Sequence, residues 1–266
     1  MRWIIGDVHG EDVALYSLIG KVTKQDSKAK FYFVGDFVDR GPDSYNVVEY
    51  ILKLNAVCVR GNHDDIFDLT ANGKSLSSGA DIADAAKQTL HFMNFGMAGT
   101  LRSYHLTPDQ LNRLVDAYED YLKPYRVEEY KGEDPKITAL GIALEEIRAY
   151  IPNTHKEFFR NLPAFYEEDD FFIVHAFRSL TESPISSMTN DDLLWGRFEN
   201  YHIHADKGWK KTGYFGHTPT KYYGSPNAPV IGNSMVLLDT GATFGHYLTA
   251  FCHETGEVIS VNKEGE

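Results

Sequence analysis

Short apolar runs alternate with helix-spaced segments through the first sixty residues. Trp3-Ile4-Ile5 is an apolar run of strand length that ends in Gly6-Asp7. Val13, Leu15, Leu18, Ile19 and Val22 then recur near a helical period, which predicts a helix with one buried face. Phe31 to Val34 reads as a second strand, ending in Gly35-Asp36. Asp43 or Ser44 can cap the next helix, whose buried face carries Val47, Val48, Ile51 and Leu52. Ala56 to Val59 is a third strand, ending in Gly61-Asn62-His63. This strand–helix alternation with short links predicts an α/β chain, with a largely parallel sheet covered by helices on both faces.

After Asp64 the pattern changes. Residues 65 to about 162 carry almost no strand alternation. Thr107-Pro108-Asp109-Gln110 matches a capping box with proline at the first helical position. It opens a helix with Leu111, Leu114, Val115, Tyr118 and Leu122 on one face. Ile137, Leu140, Leu144, Ile147 and Ile151 mark another helix, with KGEDPK (131–136) as the loop between. Strands return at Phe171 to Val174, Tyr214-Phe215 and Met235 to Leu238, and in a hairpin around Glu254-Thr255-Gly256. We therefore expect a single domain over 1–266 with a helical cap inserted at 65–150. This cap is expected to select substrate and to leave the chemistry to the sheet loops. Aromatics are dense within it (Phe92, Phe95, Tyr104, Tyr118, Tyr121, Tyr125 and Tyr130). Most are assigned to core, with one or two left to line a crevice beside Phe177.

Charge narrows the function classes. With 26 Lys+Arg against 38 Asp+Glu, the formal charge of −12 disfavours nucleic acid and anionic membrane as partners. No apolar stretch reaches 18 residues, and MRWIIGDVHG has too short an apolar run for a signal peptide. The expected location is the cytoplasm. Cys58 and Cys252 lie in apolar runs and are expected to be buried thiols.

The candidate chemistry stands where the strands end. Asp7 and His9, Asp36, Asn62 and His63, His175, and His217 each follow an apolar β run. Loops at the carboxyl ends of such strands converge on one crevice. A Gly-Asp pair alone is an ordinary turn, and His91, His105, His155, His202, His204, His246 and His253 are assigned to surface or satisfied core positions. The whole set is a different matter. It offers hard and borderline N/O donors without thiolate, suited to Mn²⁺, Fe or Zn²⁺. Five such loops would bring Asp, His, Asp, Asn, His and His together. Six ligands of these types suit two ions about 3.5–4 Å apart that share a carboxylate and clamp a phosphoryl group in displacement.

GDVHG (6–10), GDFVDRG (35–41), GNHD (61–64), VHA (174–176) and GHT (216–218) resemble the motif series of the calcineurin-like metallophosphoesterases. The GDxVDRG form is similar to the phosphoprotein-phosphatase branch, especially its bacterial and phage members, and the likeness covers about 1–64 and 152–250. The resemblance implies a central β-sandwich flanked by helices and two divalent ions, Mn²⁺ first, with Fe or Zn²⁺ as alternatives. It also implies phosphoester hydrolysis by a metal-bound hydroxide. By position, Asp7, His9 and Asp36 would hold one metal, and Asp36, Asn62, His175 and His217 the other. His63 would protonate the leaving group, Asp39 would orient His63, and Arg40 and Arg197 would bind phosphate oxygens.

Three departures stand out: GNHD where GNHE is usual, Phe177 in place of a glycine, and LDTGATFG (238–245) in place of the eukaryotic C-terminal signature. The first substrate expectation is a phosphomonoester on phosphoprotein Ser/Thr, with Tyr also allowed, and a small phosphoester or nucleotide is the other kind of partner expected. A dinucleoside tetraphosphate is the alternative. The retained Asp39 speaks for monoesters, since symmetrical tetraphosphate hydrolases often carry alanine there. A non-catalytic metal-stabilised binding protein is a remote third reading, and it requires loss of a ligand or of His63. Neither is lost.

Overall fold

The computed structural model describes residues 1–77, 81–123 and 134–266. Tyr125, Tyr130 and the first half of the 131–136 loop lie outside them. In chain order the N-terminal part runs β1 (Arg2–Ile5), α1 (Asp12–Gln25), β2 (Lys30–Phe33), α2 (Ser44–Leu54), β3 (Val57–Cys58) and α3 (Asn62–Asn72). A helical stretch follows: α4 (Ile82–Phe92), a π-helical turn at Met93–Met97, α5 (Ala98–Ser103), α6 (Pro108–Leu122), α7 (Pro135–Ala149) and α8 (Asn153–Asn161). The rest is β4 (Phe165–Glu167), β5 (Phe171–Val174), α9 (Asn190–Trp195), β6 (Thr212–Phe215), β7 (Val230–Gly232), β8 (Met235–Leu237), β9 (Leu248–Cys252) and β10 (Val258–Val261).

Two five-stranded sheets form, ordered β10-β9-β1-β2-β3 and β4-β5-β6-β8-β7. The three strands of the N-terminal half, β1, β2 and the edge strand β3, pair in parallel, Trp3 with Phe31 and Phe33 with Cys58, and β9 adds antiparallel to β1. In the other sheet β5, β6 and β8 are parallel, with β4 and β7 as antiparallel edges. The period-two alternation of strands sorts the side chains into layers. Ile4, Tyr32, Phe171, Ile173 and Tyr214 share the core between the sheets. Trp3, Ile5 and Phe33 face outward against α1, α2 and the helical stretch. Phe172, Val174 and Phe215 face the opposite side, under Leu193, Phe198 and Trp209.

Among the described residues, the helical stretch shares its core with the N-terminal sheet. Ala85, Phe92, Met97, Leu101, Tyr104, Leu114 and Leu144 belong to the same cluster as Trp3, Leu15 and Val47. Helix starts are capped as the sequence indicates. Thr107 and Gln110 form the reciprocal box, and Asp43 rather than Ser44 caps α2 through the N–H of Asn46. Three apolar positions differ from expectation. Val13, Leu52 and Leu122 are exposed, because each falls on the solvent shoulder of its helix beside a buried neighbour row.

Candidate active site

The loops after β1, β2, β5 and β6, together with the first turn of α3, meet at one crevice, and their backbone is unusual there. His9 (φ 46), Asp36 (φ 57), Asp39 (φ 71), Arg40 (φ 70) and His217 (φ 67) all occupy the left-handed region. Asp and His tolerate that region better than most residues, but an arginine does so at a cost of about 1–2 kcal/mol. Contacts from elsewhere must therefore hold these residues. Asp64 supplies several of them: its carboxylate accepts the N–H groups of Asp36 (2.7 Å), Phe37 (2.8 Å) and Gly61 (2.9 Å). The aspartate of GNHD is thus a staple between two loops and caps α3 as well. Close packing accounts for two of the glycines. A Cβ on Gly61 would come 2.0 Å from Asp36 Oδ1, and one on Gly216 would come 2.0 Å from Asp7 Oδ1.

Asp36 occupies the centre. Its Oδ1 accepts the N–H of His63 (3.0 Å), while Oδ2 lies 3.4 Å from both His9 Nε2 and His175 Nε2. The Nδ1 atoms of His9 and His175 each bond a backbone carbonyl, of Val38 and Val34, at 2.8 Å. That turns both Nε2 atoms inward, the orientation metal-binding imidazoles are commonly given by a carbonyl behind them. Asn62 Oδ1 faces His175 Nε2 at 3.1 Å and His217 Nδ1 at 2.9 Å. Asp7 accepts the N–H of His217 through Oδ2, and its buried Oδ1 has no partner. Six ligand candidates from five segments therefore converge.

Candidate ligand atoms lie within 4.8 Å of one another in two groups, His9–Asp36–His63 and Asp7–Asp36–His175. The resemblance pairs Asp7 with His9 instead, but Asp36 is shared in either division, as a bridging carboxylate requires. The donor chemistry fits divalent ions. Burial, and then Asp239 nearby, holds the Asp7 carboxyl well above its ordinary range. Burial works against charge on His175, but Asp36 outweighs it and lifts the imidazole to about 9. Burial also opposes ionisation of Asp36, yet His175 and His63 keep it well below the usual carboxylate range. His217 is pushed down to about 3 by burial and by His175. An ionised carboxylate among inward-facing nitrogens is a site where a cation can replace protons.

The second cluster abuts the first. His63 Nδ1 bonds Asp39 Oδ2 at 2.7 Å, both residues being buried. Arg40 reaches His9 Nε2 (2.7 Å) with one guanidinium nitrogen and His63 Nε2 (3.0 Å) with the other. It donates to the atoms that a metal and a leaving group would use, so its guanidinium stands where a cation or a phosphate belongs. Arg197 bonds Thr218 Oγ1 (2.8 Å). Arg40, Arg197 and His217 line both of two adjoining clefts. The larger, about 500 Å³, is walled by Phe198, Tyr222, Tyr223 and Phe244. The smaller, about 270 Å³, is walled by His91, Phe92, Phe95 and Trp195.

Several placements refine the sequence reading. Phe177 packs on Phe198 (ring centroids 4.8 Å apart) and lines neither cleft. Gly196 makes room for it, since a Cβ there would lie 2.5 Å from that of Phe177. Phe92 and Phe95 line the smaller cleft, as two of the helical aromatics were expected to. His91, assigned to the surface, is exposed there and lines that cleft as well. His155 is a satisfied core residue between Tyr104 (2.8 Å) and Glu49 (3.0 Å). Sequence reasoning missed Asp239, whose buried Oδ2 is unpartnered beside Asp7. Its signal was the acid in LDTG directly after a strand, the same signal that marked Asp7 and Asp36.

Fold and site together define a metal-dependent phosphoester hydrolase architecture. A family model described as calcineurin-like phosphoesterase matches residues 2–227, and the chain belongs to that family, whose members use a dinuclear divalent metal centre. Among curated relatives, it is 37% identical over 81 residues to a symmetrical bis(5'-nucleosyl)-tetraphosphatase of Nitrosospira multiformis, a match spanning 30% of each chain. It is 31% identical over 83 residues to serine/threonine-protein phosphatase 2 of Escherichia coli, covering 30% of this chain and 38% of that one. An asymmetrical bis(5'-nucleosyl)-tetraphosphatase of Geobacillus sp. is 26% identical over 276 residues, covering 97% and 92%. Among solved structures, a putative diadenosine tetraphosphatase shares the fold with a TM-score of 0.56 at 18% identity, over 98% of this chain and 92% of that one. No helix among the described residues is long and apolar enough to cross a membrane.

Proposed function

We propose that the chain is a phosphatase that hydrolyses phosphomonoesters, with phosphorylated protein side chains as the first substrate class. The His63–Asp39 pair carries this reading. An alkoxide leaving group is a strong base and needs a proton as it departs, whereas the leaving phosphate of an anhydride does not. A buried carboxylate 2.7 Å from Nδ1 orients the imidazole so that Nε2 faces the leaving group. Asp7, His9, Asp36, Asn62, His175 and His217 would hold two divalent ions, Mn²⁺ first. Such ions supply a nucleophile at neutral pH by acidifying a bound water, and they polarise the phosphoryl oxygens. Arg40 leaves His9 and His63 for the phosphate, where its planar fork meets two oxygens. Its departure also frees His63 Nε2 to serve as the acid. Arg197, at the rim of both clefts, takes a further oxygen.

The alternative substrate is a dinucleoside tetraphosphate, hydrolysed at the same centre. The two aromatic-walled clefts that meet at Arg40 and Arg197 favour it, as do the names of two of the relatives. Purified protein reconstituted with Mn²⁺ and assayed on a phosphoserine peptide, p-nitrophenyl phosphate and diadenosine tetraphosphate decides between them. The monoester reading requires the peptide to be cleaved with the higher kcat/KM. A tetraphosphate preference of tenfold or more would replace it with the alternative.

A further inference from the structure

The acid pair does not end at Asp39. Thr100, fully buried on α5, donates its hydroxyl to Asp39 Oδ1 at 2.8 Å. The same oxygen accepts the backbone N–H of Asp39 at 2.8 Å and lies 3.0 Å from the hydroxyl of Ser44. A threonine oxygen has one proton and two lone pairs. The proton goes to the carboxylate, and the lone pairs take the Asp39 N–H and the Ser44 hydroxyl, so every bond the Thr100 hydroxyl can make is spent here. Asp39 thus has one oxygen on Thr100 and the other on His63. Its backbone and that of Arg40 lie in the left-handed region, where unsupported residues relax away. Gly96, just before α5, packs directly on them, since a Cβ there would come 2.1 Å from the Arg40 nitrogen.

We propose that Thr100 is a positioning residue for the His63 acid, so that the helical stretch completes the proton-donating machinery besides walling a cleft. This rests on the acid role of His63 proposed above. Without the hydroxyl, Asp39 can rotate about its side chain and the imidazole loses its fixed direction. The loss should then fall on substrates that need leaving-group protonation.

The test sets Thr100→Val, Thr100→Ala and Thr100→Ser beside His63→Gln, each loaded with Mn²⁺ and assayed on an alkyl phosphate and on p-nitrophenyl phosphate. Thr100→Val and Thr100→Ala should lower kcat for the alkyl ester by about 10-fold to 100-fold, the worth of one hydrogen bond to a charged carboxylate. The aryl ester should lose less than about threefold. Metal content should stay at the wild-type value, and Thr100→Ser should restore the alkyl rate. Nitrogen NMR of the metal-free protein gives a readout apart from turnover: the His63 Nδ1–H resonance should move in the valine and alanine variants and not in the serine variant. An equal loss on both esters, or an unmoved His63 resonance, overturns the role of Thr100 while leaving that of His63 intact. If His63→Gln itself shows no dependence on the leaving group, the acid reading fails and this inference fails with it.

Discussion

The floor of the crevice, which carries the candidate metal ligands, and its helical wall are built on different principles. On the floor, each ligand candidate sits in a loop or first helical turn that follows a strand, beside a small or turn-forming residue. Asp7, Asp36, Asn62, His175 and His217 are brought together because parallel strands end at one edge. The wall works through distant pairings instead. Thr100 meets Asp39 across 61 residues of sequence, and Phe92 packs 5.1 Å from His63 across 29 positions (92 − 63). Local pattern therefore specifies the floor, while tertiary packing alone specifies how the wall touches it. Substitutions on the floor should abolish metal binding, and substitutions in the wall should leave metal in place while altering catalysis or selection.

The largest effect belongs to Asp36→Asn, which removes charge from a carboxylate 3.4 Å from both inward imidazoles. Elemental analysis after Mn²⁺ reconstitution should fall from two ions per chain to one or none. Hydrolysis should fall by about 10⁴-fold or more, because polarisation and nucleophile are lost together. Two ions retained per chain would break the assignment of Asp36 as the bridge.

A smaller loss is expected where floor and wall join. His63→Gln should keep both ions and lower kcat by about 10²–10⁴-fold, the usual worth of general acid–base catalysis. The drop should be less for p-nitrophenyl phosphate, whose leaving group departs without a proton. Equal losses on alkyl and aryl esters would show that His63 serves charge or position instead of proton transfer.

The same division explains how much could be read from the chain. The three N-terminal strands, the helices between them and the sites of Asp7, Asp36 and His175 follow from apolar runs closed by Gly-Asp or His. The capping box at Thr107 was equally plain, because its bonds join neighbours in sequence. The start of α3 within GNHD was not, since Gly61 lends its backbone as the cap and Asp64 completes it through two other loops. Strands β4 and β7 are three-residue edges without alternation long enough to register. Thr100 sits in AGTLRS, where nothing local separates it from any helical threonine. Leu52 and Leu122 read as core from hydrophobicity, and only the partner surface decides that they face water.

The smallest effect concerns the walls of the two clefts. Trp195 is 37% exposed, lies 6.0 Å from Phe92 and donates its indole N–H to Ser77 Oγ (3.3 Å), so it belongs to the wall beside the helical stretch. Tyr222 is 66% exposed in the larger cleft, whose other rings come from the sandwich. Arg40 and Arg197 separate the two. A substrate that lies across the arginines must touch both rings, whether it is a peptide or carries two nucleosides. Each ring contact contributes about 0.5–1.5 kcal/mol. Trp195→Ala and Tyr222→Ala should each raise KM for such a substrate about threefold to tenfold, with kcat unchanged, because neither ring is a proton donor or ligand here. For p-nitrophenyl phosphate, too small to reach either wall, both variants should stay within about twofold of wild type. The effects should multiply in the double variant, as separated sites do. If Tyr222→Ala alone raises KM, the substrate lies on the sandwich side only, and the helical wall acts through Thr100 and the acid instead of through recognition.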